Sequence, residues 1–208
     1  MSASHYLPRS FFAQPTLQVA RQLLGTRLLR LEGGATLAGY ITETEAYIGE
    51  DDLACHARAG LTARTRVMYG PPGHAYVYFT YGLHWMLNFV TQEEGFPAAV
   101  LIRAVFPVQG IPRMAAHRRG QPRPIWTDGP AKLCQAFGID GALHGLDLCQ
   151  AGSPLVVHPG LLIPDENVTT GARVGLNSVP EPWKSLPWRF RVRGMRSLLR
   201  AACNQKSA

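Results

Sequence analysis

The stretch Thr42 to Tyr47 reads TETEAY, and along an extended chain the alternation places Glu43, Glu45 and Tyr47 on one side. Two carboxylates two positions apart repel each other, which raises the pKa of the more buried one and prepares it as a base. Such a group can drive water onto a carbon while answering positive charge that develops on a sugar. That is what breaking the bond between a base and its deoxyribose requires. The spacing does not choose between Glu43 and Glu45. The bland alternative is an exposed edge strand carrying two solvated charges, since Thr-Glu alternation is common there.

A second candidate lies downstream, where Tyr76 to Asn88 reads YVYFTYGLHWMLN. Period-two alternation makes this two short strands joined at Tyr81-Gly82, a protruding β-hairpin with Tyr81 at its tip. A base inside a duplex must be rotated out, its gap filled and its ring held between flat side chains. Tyr81 suits the gap. Tyr47, His56 and Tyr78 suit the walls, with Tyr76 on the same strand face as Tyr78 and Phe79 opposite. A damaged purine bearing positive charge would gain attraction from such faces. Against this, strand aromatics commonly pack in cores, and an isolated loop His is more often a surface residue.

Charge points the same way. Lys and Arg outnumber Asp and Glu by 21 to 14 over 208 residues, giving +7, which favours a polyanionic partner. All the cations except Lys132, Lys184 and Lys206 are Arg, the side chain suited to forked contacts with phosphate. Cys55, Cys134, Cys149 and Cys203 form no Cys-x-x-Cys pair, so neither a zinc site nor a disulfide framework is expected. No secretory leader or membrane-spanning run is visible, and a soluble cytoplasmic monomer without metal or cofactor is expected. Ser-nucleophile, phosphate-loop and zinc-hydrolase motifs are missing. Lys132 is the one plausible lysine for chemistry through an imine.

The elements that must position these residues follow from periodicity. A helix is expected from Pro15-Thr16 to Gly25, then strands over 27–31 and 36–45 around Glu32-Gly33-Gly34. Residues 49–73 read as a long irregular loop with a function. A central strand follows over 98–106, with Arg103 its polar exception, then a helix over 110–117. Asp128-Gly129-Pro130 should cap another over 131–137. Strands are expected at 155–158, 171–174 and 188–193. The order implies an α+β fold: one domain over 1–208, with a mixed, largely antiparallel sheet and flanking helices.

Taken in order, FF-QP with ARQLLG, TETEAYIG-ED, CHARAG, YVYFTYGLHWMLN, LIRAVFP, GPAKLCQAFGI, ARVG and RFRVRG make this chain closely resemble the alkyladenine (3-methyladenine, methylpurine) DNA glycosylase family. The resemblance implies hydrolysis of the N-glycosidic bond of alkylated or deaminated purines in duplex DNA, without metal or cofactor. It implies Glu45 rather than Glu43 as the water-activating carboxylate, Tyr81 as the wedge, and Tyr47, His56 and Tyr78 as pocket walls. Asn88 matches a residue that excludes guanine by crowding its exocyclic amine. Arg103 matches a support for pocket and water, and Val174 a backbone contact to the base. The chain lacks the long polar leader of animal relatives, as expected of a compact bacterial form. It departs most in the 57–73 loop and at Leu83 and His84. The alternatives are a non-catalytic binder of distorted DNA and a strand-nicking enzyme using Lys132. A two-carboxylate sugar hydrolase is disfavoured, because Glu43 and Glu45 cannot flank a bond from opposite sides.

Overall fold

The first elements are two short helices, α1 (Arg9–Phe12) and α2 (Thr16–Gln22), followed by the hairpin β1 (Arg27–Glu32) and β2 (Ala35–Ile48). Gly25 ends the helical stretch at φ 83, where a Cβ would strike the Leu161 carbonyl. A second hairpin, β3 (Ala75–Thr80) and β4 (His84–Val90), precedes β5 (Ala98–Gln109), α3 (Ile111–His117) and α4 (Pro130–Phe137). The last elements are β6 (Leu155–His158), β7 (Val168–Gly171), β8 (Arg189–Val192) and α5 (Met195–Gln205). These ranges come from a computed structural model that describes residues 6–205; Lys206 and the start of the segment read for a leader lie outside it.

Eight strands form one sheet in the order β3-β4-β5-β2-β1-β6, with β8 added beside β2 and β7 beside β8. Every pairing among the described residues is antiparallel, which bears out the α+β expectation. The register places β2 at the centre. Along one side it pairs with β5, and along the other first with β1 and then, at Glu43–Glu45, with β8. The exposed edge-strand alternative for the two glutamates is therefore wrong.

The two faces of β2 serve different ends. Thr44 donates its hydroxyl to the Ala20 carbonyl at 2.8 Å, which sets that face under α2. There Phe12, Leu23, Leu28, Phe89, Leu133 and Phe137 make the main core, each worth about 1.5–3 kcal/mol when fully buried. Glu43, Glu45 and Tyr47 leave from the other face. Residues 49–73 cover that face as two short 3-10 turns, His56–Ala59 and Arg66–Tyr69, and pack Cys55, Ala57 and Met68 against Tyr76 and Ala99. α5 closes a third cluster through Met195, Leu24, Ile163 and Val192. Among the described residues no helix is long and apolar enough to cross a membrane.

Two expectations need correction. The strand read at 171–174 is β7 at Val168–Gly171, because Val174 turns its N–H away from any ladder to a side chain of β2. Asp128 does not cap α4; Gly129 holds the cap position with no side-chain bond, and Asp128 pairs with Lys132 at 2.9 Å.

Candidate active site

Glu45 is fully buried, and three groups hold its carboxylate. The Val174 N–H donates to Oε1 at 2.7 Å, the Tyr47 hydroxyl donates to Oε2 at 2.9 Å, and Arg103 Nη1 lies 3.3 Å from Oε2. A carboxylate has about four acceptor positions, so this clamp leaves one lone pair of Oε1 for another donor. Burial pushes the pKa of Glu45 up, while Arg103, the Val174 amide and the Tyr47 hydroxyl pull it down. Repulsion from Glu43, the cause anticipated from their spacing, contributes least. Glu43 has another task. It accepts from Arg103 Nε at 3.0 Å and from Arg189 Nη1 at 3.3 Å, holding Arg103 against Glu45.

Tyr47, Arg103 and Val174 line a cavity of about 340 Å³ that also includes His56, Tyr78 and Asn88. Glu45 does not itself line the cavity; it stands just behind this wall, bonded to three of the residues that form it. His56 meets Tyr78 edge to face with centroids 4.5 Å apart, and Tyr76 and Tyr78 lie 5.4 Å apart. His56 Nδ1 is 2.9 Å from the Tyr76 hydroxyl and Nε2 is 3.4 Å from Arg64 Nη2. A guanidinium only donates, so Nε2 accepts and the proton sits on Nδ1. Burial, then Arg64 and Arg58, lower the His56 pKa to about 4, so the ring is neutral at neutral pH. Burial and the neighbouring Glu45 push Tyr47 up, and burial pushes Tyr78 up, so both hydroxyls stay protonated. Asn88 is buried and donates its amide to the Tyr76 carbonyl at 3.0 Å, which fixes its orientation.

At the mouth stands Tyr81. It is 85% exposed although aromatic, and its φ of 52 is rare for a residue with a Cβ. Gly82 follows at φ 64, and the Leu83 N–H donates to the Thr80 carbonyl at 3.1 Å. Two successive positive φ values make the primed turn whose twist matches a hairpin, with Gly in one place and a strained Tyr in the other. The ring lines the same cavity as Tyr78 and Val174. A larger groove of about 510 Å³ beside α5 is lined by Glu43 and Arg191 but holds no stacked rings, so the aromatic cavity is the candidate.

Every expected site residue therefore converges on one place: seven line the cavity and Glu45 backs it. What the sequence reading missed is the support behind it. Arg173 is buried and makes a forked pair with Asp52, donates to the Ala46 carbonyl at 3.0 Å, and stacks on Tyr47 with its guanidinium 4.7 Å from the ring centre. Its neighbour Val174 is thereby held over Glu45. An Asp just after a strand and an Arg in ARVG carry no local sign of pairing. Among the described residues no group of three or more His, Cys, Asp or Glu side chains is placed to hold a metal.

Flat rings around a slot, a protruding aromatic and a carboxylate buried behind them make a cavity whose shape suits a planar ring system. The chain belongs to the methylpurine-DNA glycosylase family, whose model matches residues 10–196. It is 47% identical over 190 residues to a Myxococcus xanthus protein, covering 91% of each chain. A Methanocella arvoryzae protein is 47% identical over 185 residues, covering 88% of this chain and 90% of its own. A Chlorobaculum parvum protein is 44% identical over 184 residues, covering 88% and 85%. All three carry the name "Putative 3-methyladenine DNA glycosylase".

Proposed function

We propose that this protein is a monofunctional purine DNA glycosylase that acts as a monomer, without metal or cofactor, on alkylated or deaminated purines in duplex DNA. The observation that carries this reading is the clamped carboxylate of Glu45 behind an aromatic cavity whose mouth bears Tyr81. Arg side chains hold the phosphates, and Tyr81 enters the stack where the damaged nucleotide leaves it. The extruded base lies between Tyr47, His56 and Tyr78, where Asn88 crowds the exocyclic amine of guanine. Val174 contacts the base through its backbone and Arg103 steadies the water.

Glu45 takes a proton from water as the oxygen bonds to C1′. The N-glycosidic bond breaks, its electron pair leaves with the purine, and the negative carboxylate offsets charge on the sugar. Arg103 and the two hydrogen bonds favour the ionised form of Glu45 against the burial that opposes it. Lys132 suits imine chemistry poorly, because its ammonium is exposed and paired with Asp128.

The test is single-turnover release of base from a duplex holding one alkylated purine. Glu45→Gln should lower the rate by about a hundredfold to ten-thousandfold. A variant as fast as the parent overturns the mechanism, and DNA binding with no base ever released by the parent would leave a binder.

A further inference from the structure

Two of the cavity's aromatic walls, Tyr47 and Tyr78, are backed by cations in different electrical states. Tyr47 has the Arg173 guanidinium 4.7 Å from its ring centre, and Tyr78 has that of Arg64 at 5.3 Å. Neither arginine lines the aromatic cavity. Arg64 lies instead in a neighbouring groove of about 400 Å³, with Tyr78 standing between the two spaces. Arg173 is neutralised by its forked pair with Asp52. Among the described residues no salt bridge joins Arg64 to a carboxylate; its nearby partners are the neutral His56 ring, the Tyr76 hydroxyl and the Tyr78 face.

This asymmetry has a consequence for what can stack inside. An aromatic face attracts a cation through its quadrupole, and a guanidinium on the far face already draws on that field. A purine with a fixed positive charge, stacked on Tyr78, would face a second cation through one ring's thickness. A neutral purine would meet no such opposition. We propose that Arg64 is a specificity-determining residue, its charge behind Tyr78 reducing the advantage that cationic purines gain from the aromatic walls and so narrowing their lead over neutral damaged bases.

Two further features support this reading, which rests on the glycosylase function proposed above. His56 lines the cavity and is itself a group that either carries a positive charge or does not. After burial, Arg64 is the largest cause of its resistance to protonation, followed by Arg58. The field that keeps His56 neutral reaches the space a base would fill. The backbone that carries Arg64 is tied down on both sides: the Arg66 N–H donates to the Thr62 carbonyl at 2.9 Å, and the buried Thr65 donates its hydroxyl to the Gly60 carbonyl at 2.8 Å. Arg64 itself is exposed, so its removal opens no core.

The experiment compares single-turnover release of 7-methylguanine, a cationic base in DNA, with release of hypoxanthine, a neutral one, in parent, Arg64→Gln and Arg64→Lys. Arg64→Gln should raise the 7-methylguanine to hypoxanthine rate ratio about twofold to fivefold, the measure of one exposed cation–π contact, and added salt should shrink the gap. Arg64→Lys should keep the parental ratio. A lost phosphate contact would slow both substrates alike, so an unchanged ratio in Arg64→Gln sinks the proposal while the glycosylase reading stands. If neither base is released, that reading falls and takes the discrimination with it. NMR titration of His56 gives a readout free of turnover. Its pKa should rise from about 4 in Arg64→Gln, and no rise refutes the field invoked here.

Discussion

The backbone amide of Val174 donates to Oε1 of Glu45 at 2.7 Å across 129 positions of sequence, so a loop late in the chain finishes what an early strand begins. Only proline would remove this donor, and with any other side chain at 174 it favours the ionised carboxylate. Burial wins over it, and the pKa of Glu45 stays above its ordinary 4.5. A base works only when deprotonated, so the single-turnover rate should fall as pH drops through a midpoint above that value. A rate that stays flat down to pH 4.5 would show that the buried carboxylate is not the base.

Arg173 reaches the same carboxylate at second hand. It braces Tyr47 and Val174, and its charge is answered by Asp52 in the interior. Asp52→Asn leaves a buried guanidinium without its anion, a change that costs about 3–5 kcal/mol. Thermal unfolding should show a large drop, and at temperatures where the variant is still folded the acid limb of base release should shift as Val174 loosens its hold on Glu45. A variant that loses stability but keeps the parental pH profile would make the pair a structural brace only.

His56 gives the fold its own pH signature. Its folded pKa, about 4, lies below the ordinary 6.5, so stability from this ring is present above pH 6.5 and is lost as pH falls toward 4. Over that window the unfolded chain takes up a proton that the folded protein refuses. His56→Gln removes the difference, so the fall in urea midpoint from pH 7 to pH 4.5 should be shallower than in the parent. Equal slopes would mean that His56 protonates normally in place.

What could be read from the sequence, and what could not, divides along the range of the interactions. The alternation in YVYFTYGLHWMLN fixed both strands and the turn, because a hairpin pairs residues near each other in sequence. Spacing put Glu43 and Glu45 on one face, but their separate fates depend on partners far along the chain: Arg103 and Arg189 for one, Val174 for the other. Val174 itself was expected within a strand, and it leaves the ladder because its N–H has a better acceptor. Asp52 with Arg173, and Arg64 behind Tyr78, were invisible for the same reason. Charges and rings do not announce which cation lies across which face.

Tyr81 offers the sharpest contrast between stability and function. Its ring is 85% exposed, so it adds little to packing, and its φ of 52 places a bulky residue where Asn or Gly sits with less strain. Relief of that strain should make Tyr81→Asn more stable than the parent by roughly 0.5–1 kcal/mol, read from urea unfolding. The same change removes the wedge. If the ring fills the gap left by an extruded purine, base release from duplex DNA should drop by at least tenfold while release from a mismatched site, which is easier to open, suffers less. Equal losses on both duplexes would point to a part in chemistry rather than extrusion. Lost stability would show that the exposed ring packs against its hairpin after all, and that the strained backbone is not a concession to function.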